Sequence, residues 1–260
     1  MLSLTTGQLE TWLDQVLWPF IRVGSCLMVA PVFSGQTVPV RVRIVLAGAI
    51  ALILAPMIVI PPDLVAFSVQ GLVVTAQQVV IGIALGFCLQ LVFDAITLGG
   101  QLIANSMGLS YALSLDPVRG TGSTALGEMY SIFVTLVFLA LNGHLRLIEV
   151  LADGFRTLPI GGSGFGSADL WQIVIWGGTL FGGALTIALP AITALLIVNL
   201  AFGMVSRAAP ALNLIAVGFP VMLIFGLLVL VVSVPQLLTG FERLLEQAFT
   251  VLQSLSAGRV

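Results

Sequence analysis

Apolar positions recur along this chain with the 3.6-residue period of helices, and polar positions interrupt them sparsely. Leu9, Trp12, Leu13, Val16, Leu17 and Phe20 fall on one helical face, with Glu10, Asp14 and Gln15 off it. Thr5 and Gln8 have the spacing of a capping pair. The pattern predicts a first helix, amphipathic at its start and apolar through Val32, with Arg22 inside it. An arginine at a bilayer centre costs roughly 2.5–3.5 kcal/mol on insertion scales. Arg22 is therefore expected to face protein or water rather than lipid. Pro31, Gly35 and Pro39 break the pattern, and Arg41 and Arg43 follow. A second apolar run, Ile44–Ile60, would be roughly 25 Å long as a helix, slightly short for a ~30 Å hydrocarbon core. Pro61-Pro62-Asp63 closes it.

Leu64–Leu115 is too long for one span, and a turn is predicted near Asp94–Gly100, making two helices. Gln70, Gln77, Gln78, Gln90, Asp94, Gln101 and Asn105 make this stretch oddly polar for lipid. Unpaired amides cost several kcal/mol each in hydrocarbon, so these residues call for protein partners. Gly82-x-x-x-Gly86 offers a close-packing face. The loop Ser114–Ser123, with Asp116-Pro117, Gly120 and Gly122, is a turn by composition. One helix is predicted over Leu126–Leu151, and the glycine-rich connection Gly161–Gly166 reads as an internal boundary.

Trp171–Phe202 would be roughly 48 Å long if straight, so it must bend, tilt or project, and Pro190 can kink it. A polar tip, Gly203–Asn213, turns the chain, and Leu214–Val234 returns. The tail places Phe241, Leu244, Leu245, Ala248 and Leu252 on one side, with Glu242, Arg243 and Glu246 elsewhere. The fold class is all-α: a polytopic, membrane-type protein of long, kinked helices and helical hairpins.

Composition agrees. Of 260 residues, 59% are hydrophobic and 8% charged, against about 25% charged in soluble domains. So few charges cannot cover a water-facing surface. The N-terminus lacks the basic region of a secretory signal, so the first apolar segment is expected to direct insertion itself and stay attached. With six alternating spans, four arginines fall on each side, and the positive-inside rule does not decide orientation. The net charge of −2 indicates no face for nucleic acid.

Chemistry is scarce. All nine basic residues are arginine, so a Walker A lysine, a lysine Schiff base and a Ser–Lys dyad are excluded. The single His144 and the distant Cys26 and Cys88 make no metal-ligand spacing, and no cofactor motif is present. Catalysis is not expected. His144 reads as a helix-end histidine meeting an interface or a carbonyl; a proton relay would need Asp94 or Glu149. Arg22 and Arg207 could be substrate-binding charges, as in a transporter, or could pair with carboxylates or carbonyls at a subunit interface. The loop through Asp116 and Ser123 is either an ordinary exposed turn or a movable occupant of a pore.

Four stretches resemble the FliR family, the R subunit of the flagellar type III export gate. These are Pro31-Val-Phe with Pro39-x-Arg41-x-Arg43, and Gln101–Ser110 running into Asp116-Pro117. Phe138–His144 is the third. The fourth is Asn199–Gly203 with Ser206-Arg207-Ala-Ala-Pro210-x-x-Asn213 and Gly218-Phe-Pro220. Together, in order, they cover nearly the whole chain. Injectisome export subunits are close relatives, and Gly143-His144 looks like the flagellar branch.

The resemblance implies a helical export-gate assembly with P-type, Q-type and FlhB-type subunits, through which unfolded proteins pass. It implies a P-like part over 1–165 and a Q-like hairpin with an amphipathic tail over 166–260. It also implies a plug near 115–126, including Leu115, Asp116, Pro117, Arg119, Gly120 and Gly122. Arg22, Gln77, Gln78, Gln101, Asn105, Arg207 and Asn213 are the candidate subunit-interface polar residues. A multi-pass protein of the bacterial inner membrane, in the flagellar basal body, is expected. The rivals are a secondary transporter, which predicts inverted repeats and intramembrane acidic residues, and a membrane scaffold without a pore.

Overall fold

A computed structural model describes residues 6–35, 38–61, 64, 68–109, 124–208 and 218–256, with backbone only for 6–14, 206 and 208. Among these residues there is no strand. Eight α-helices follow one another among the described residues: α1 (Thr6–Val29), α2 (Val40–Leu54), α3 (Val69–Ser106), α4 (Ala125–Ala140), α5 (Gly143–Thr157), α6 (Ser167–Gly177), α7 (Thr179–Ala208) and α8 (Phe219–Ser256). Among the described residues four runs are long and apolar enough to cross a membrane, Val40–Met57, Val69–Ser106, Ser167–Val205 and Phe219–Ser256, or five if α4 and α5, bent by 65°, count as one span. The all-α, polytopic class is thus observed.

Local chemistry sets the helix ends. Ser68 Oγ accepts the Gly71 N–H at 2.9 Å and starts α3; Thr124 Oγ1 does the same for Gly127 at 3.2 Å and starts α4. At α6 the Asp169 carboxylate reaches back to the Gly166 N–H at 2.9 Å, half of a capping box. Pro56 converts the end of α2 into a short 3-10 turn, Ala55–Met57.

Three elements differ from expectation. α3 is one 38-residue helix, without the turn predicted near Asp94–Gly100. Its glycines are contact points instead: a Cβ at Gly99 would stand 3.2 Å from the Ala184 carbonyl oxygen, and one at Gly100 would stand 3.0 Å from the Tyr130 ring. The single helix predicted over Leu126–Leu151 is broken into α4 and α5 at Asn142, which takes the left-handed conformation (φ 55°). Asparagine tolerates that region, and the Phe138 ring fills the space where Gly143 lacks a side chain. The return helix and the tail are one helix, α8, with Pro235 inside it. The tail's predicted apolar side is buried at all five positions: Phe241, Leu244, Leu245, Ala248 and Leu252.

The chain forms two compact units that interleave along the sequence. One comprises residues 1–91, 138–177 and 247–260; the other comprises 92–137 and 178–246. The first is cored by Trp18, Val23, Leu27, Ile50, Leu54 and Val74 with Phe155 and Ile160. The glycine notch on α3 seats α1: a Cβ at Gly86 would stand 2.6 Å from the Cys26 carbonyl oxygen, and one at Gly82 would collide with the backbone at Arg22. Trp18 Nε1 donates to Thr75 Oγ1 at 3.2 Å across the same contact. In the second unit, Phe93 and Phe241 meet edge to face at 5.6 Å, and Met107 lies over Gly226.

Candidate functional site

The densest polar constellation centres on Arg22, which α1 carries on its buried face beside Trp18 and Cys26. Its guanidinium donates from Nε to Gln78 Oε1 at 2.6 Å, from Nη1 to the Gly154 carbonyl at 3.0 Å, and from Nη2 to the Leu158 carbonyl at 2.8 Å. Its planar face lies over the Phe155 ring, 4.1 Å from the centroid. Gly154 and Leu158 lie at the C-terminal end of α5, where the helix dipole favours a cation; the Gly154 carbonyl accepts the Leu158 N–H at 2.9 Å as well as the guanidinium. A buried charge is thus held by neutral groups arranged in a fork that arginine fits.

This corrects the expectation for two residues. Arg22 and Gln78 are buried, 0% and 1% exposed, and they pair within the chain rather than with another subunit. The carbonyls Arg22 seeks are the chain's own. Gln77 is half-buried and lies against Gly164, while Gln101 is half-buried near Gly127. Asn105 and Arg207 are exposed. Asn213 and the plug residues Leu115, Asp116, Pro117, Arg119, Gly120 and Gly122 lie outside the described residues. Among the described residues the structure brings together Arg22 and Gln78 and does not join them to Gln101, Asn105 or Arg207.

Other predicted residues have local tasks. Arg43 donates to the carbonyls of Ser34 (3.0 Å) and Gly35 (2.6 Å), closing the turn between α1 and α2. His144 is the second residue of α5, half-buried, with no hydrogen bond at Nδ1. Asp94 and Glu149, its suggested relay partners, are both exposed. Arg146 stacks on the Phe249 ring at 4.3 Å. No group of three His, Cys, Asp or Glu residues that could hold a metal occurs among the described residues.

The remaining feature is apolar surface. Phe181, Leu196, Ile197 and Leu200 of α7 are each more than half exposed, as are Ile224, Leu227, Leu228, Val231 and Val232 of α8. Only 17% of the most apolar window of Ser167–Val205 is buried inside the chain, and 22% for Phe219–Ser256. Such surface needs lipid or other protein.

Comparison with known proteins decides the family. The profile of bacterial export proteins, family 1, matches residues 13–248. The chain belongs to this family. The flagellar biosynthetic protein FliR of Escherichia coli (strain K12) is 37% identical over 255 residues, 98% of this chain and 97% of that one. FliR of Pectobacterium carotovorum subsp. carotovorum is 37% identical over the same length. FliR of Aquifex aeolicus is 29% identical over 244 residues, 94% of each chain. The Arg22–Gln78–α5 cluster left little trace in the sequence of this chain, because Gly154 and Leu158 contribute only backbone. A lone arginine and a glutamine, each in an apolar helix, were the available signal.

Proposed function

We propose that this chain is a structural and gating subunit of the flagellar type III export gate and catalyses no reaction. It forms part of the channel through which unfolded flagellar proteins leave during flagellum assembly. The observation that carries the reading is the match to flagellar FliR proteins over almost the whole length. The bare apolar faces of α7 and α8 support it, since they suit a chain that completes its packing on other subunits. The partners are P-type, Q-type and FlhB-type subunits. In this reading residues 1–165 are the P-like part, and 166–260 are the Q-like hairpin and tail. The segment near 115–126 acts as the plug. The exposed Asn105 and Arg207, with Gln77, Gln101 and Asn213, are the polar residues assigned to subunit contacts. The site of action is the bacterial inner membrane at the flagellar basal body. Energy for export comes from elsewhere in the machine.

Three measurements test this. Expression in an Escherichia coli strain lacking its own FliR should restore swimming and filament secretion; a correctly inserted chain that restores neither overturns the flagellar assignment. Purification in mild detergent should recover P- and Q-type subunits, whereas a stable lone monomer would favour a transporter. Deleting Arg119–Ser123 should raise ion leakage or disturb secretion; unchanged leakage with normal secretion removes the plug.

A further inference from the structure

The glycine-rich connection between α5 and α6 has the composition of a linker, and Gly161, Gly162, Ser163 and Gly166 are exposed, but the segment is tied to its neighbours at several points. Leu158 and Ile160 are buried, and Arg22 holds the Leu158 carbonyl at 2.8 Å. Gly161 takes a positive φ of 84° and packs on Pro61 and Leu64; a Cβ there would stand 3.3 Å from Pro61 Cγ. Gly164, at φ 67°, lies against Gln77, where a Cβ would stand 3.5 Å from Cδ. The Gly162 N–H closes a turn onto the Pro159 carbonyl at 3.1 Å, and Gly166 is held by Asp169. The glycines are there because the backbone is left-handed at two points and lies close to its neighbours, not to confer freedom.

We propose that Arg22 and the neighbouring pair Gln77-Gln78 of α3 convert residues 158–166 into a fixed strap, held at its near end through Arg22 and at its far end by Gln77. Gln78 fixes the guanidinium through Nε, and the guanidinium fixes Leu158 through Nη2. One turn of α3 therefore sets both ends. Arg22 is a positioning residue, and it meets this segment across 136 residues of sequence. The strap sets where α6 begins, and α6 is then fastened by Trp176 Nε1 to the Cys88 carbonyl (2.9 Å) and by Gln172 Nε2 to Ser254 Oγ (2.7 Å). The inference concerns the isolated chain and stands whether or not the export reading holds.

Amide hydrogen exchange on the full-length chain in detergent tests it, because exchange reports local opening segment by segment. Arg22→Lys keeps a charge but loses the fork, and Gln78→Leu leaves the two carbonyl bonds in place. Each should speed exchange at Leu158 and Ile160 about ten-fold while amides in the middle of α3 stay unchanged. Gln77→Ala should speed exchange at Ser163–Gly166 and leave Leu158 unaffected. This split between near and far ends is what a general packing role would not produce. If Arg22→Lys unfolds the chain, Gln78→Leu and Gln77→Ala carry the test. The proposal is overturned by uniform acceleration along the chain in those two variants. It is equally overturned if the connection of the unaltered protein already exchanges at the rate of an unstructured peptide.

Discussion

Val69–Ser106 and Ser167–Val205 are 38 and 39 residues long, and their most apolar 18-residue windows have mean hydropathies of 2.3 and 2.2, yet 67% of the first window is buried inside the chain against 17% of the second. Hydropathy does not separate them; the surroundings of their glycines do. Gly82, Gly86, Gly99 and Gly100 of α3 each have an atom where a Cβ would press, at 3.2 Å or closer. In the second run Gly177, Gly182 and Gly203 have nothing within 4 Å, while Gly183 is packed, with Leu244 Cδ1 3.0 Å from where its Cβ would stand. α3 is shaped to receive the chain's own helices, while most of the second run offers its surface outward. Equal greasiness therefore serves an internal scaffold in one case and an external face in the other.

The sharpest way to break this comparison is to fill the notch on α3. Gly86→Leu drives a branched side chain into the Cys26 backbone and should abolish a folded chain, read as aggregation on size-exclusion chromatography in detergent. A well-behaved peak with unchanged melting temperature would show that the α1–α3 contact is not needed. Next come two phenylalanines. Phe241→Ala removes a fully buried ring from its partner Phe93 and should cost about 3–5 kcal/mol. Phe181→Ala, on a side chain 68% exposed, should stay within about 0.5 kcal/mol for the isolated chain. Similar losses in thermal unfolding would erase the distinction. Third, Ile197→Gln with Leu200→Gln should leave the isolated chain's melting temperature nearly unchanged but reduce recovery of P- and Q-type subunits in a pull-down. Undiminished recovery would mean this face is not spent on those partners. A modest gain, far smaller than the Phe241 loss, is expected at Gly182→Ala, which adds up to about 1 kcal/mol of helix propensity with open space around it. A loss of stability there would reveal a packing role for this glycine.

The sequence made some of this plain and hid the rest for physical reasons. Periodicity placed the five buried tail positions, Phe241 to Leu252, because an amphipathic stripe needs only one helix to be visible. Pro31, Gly35 and Pro39 located the first break, since they act on their own backbone; the chain leaves α1 at Val29 and re-enters helix at Val40. Gly99-Gly100 misled, because a glycine pair looks the same whether it turns the chain or admits a neighbour. Asn142 was silent for the converse reason: apolar periodicity runs through it, and only its left-handed backbone breaks the helix. Arg22 was read correctly as unsuited to lipid, and the carbonyl was the right kind of partner. The carbonyls it meets belong to the chain's own α5 end, and contacts spanning 132 and 136 residues leave no local pattern in the sequence.

The length of α3 has a consequence of its own. At 1.5 Å per residue its 38 residues extend about 57 Å, nearly twice a ~30 Å hydrocarbon layer. Fitting it inside by tilt alone would need about 58° from the membrane normal, beyond the 0–40° that spanning helices adopt. Bilayer thickness therefore cannot set where this helix begins and ends. The chain carries its own ruler, and it should tolerate thin and thick membranes in a way that proteins matched to the lipid do not.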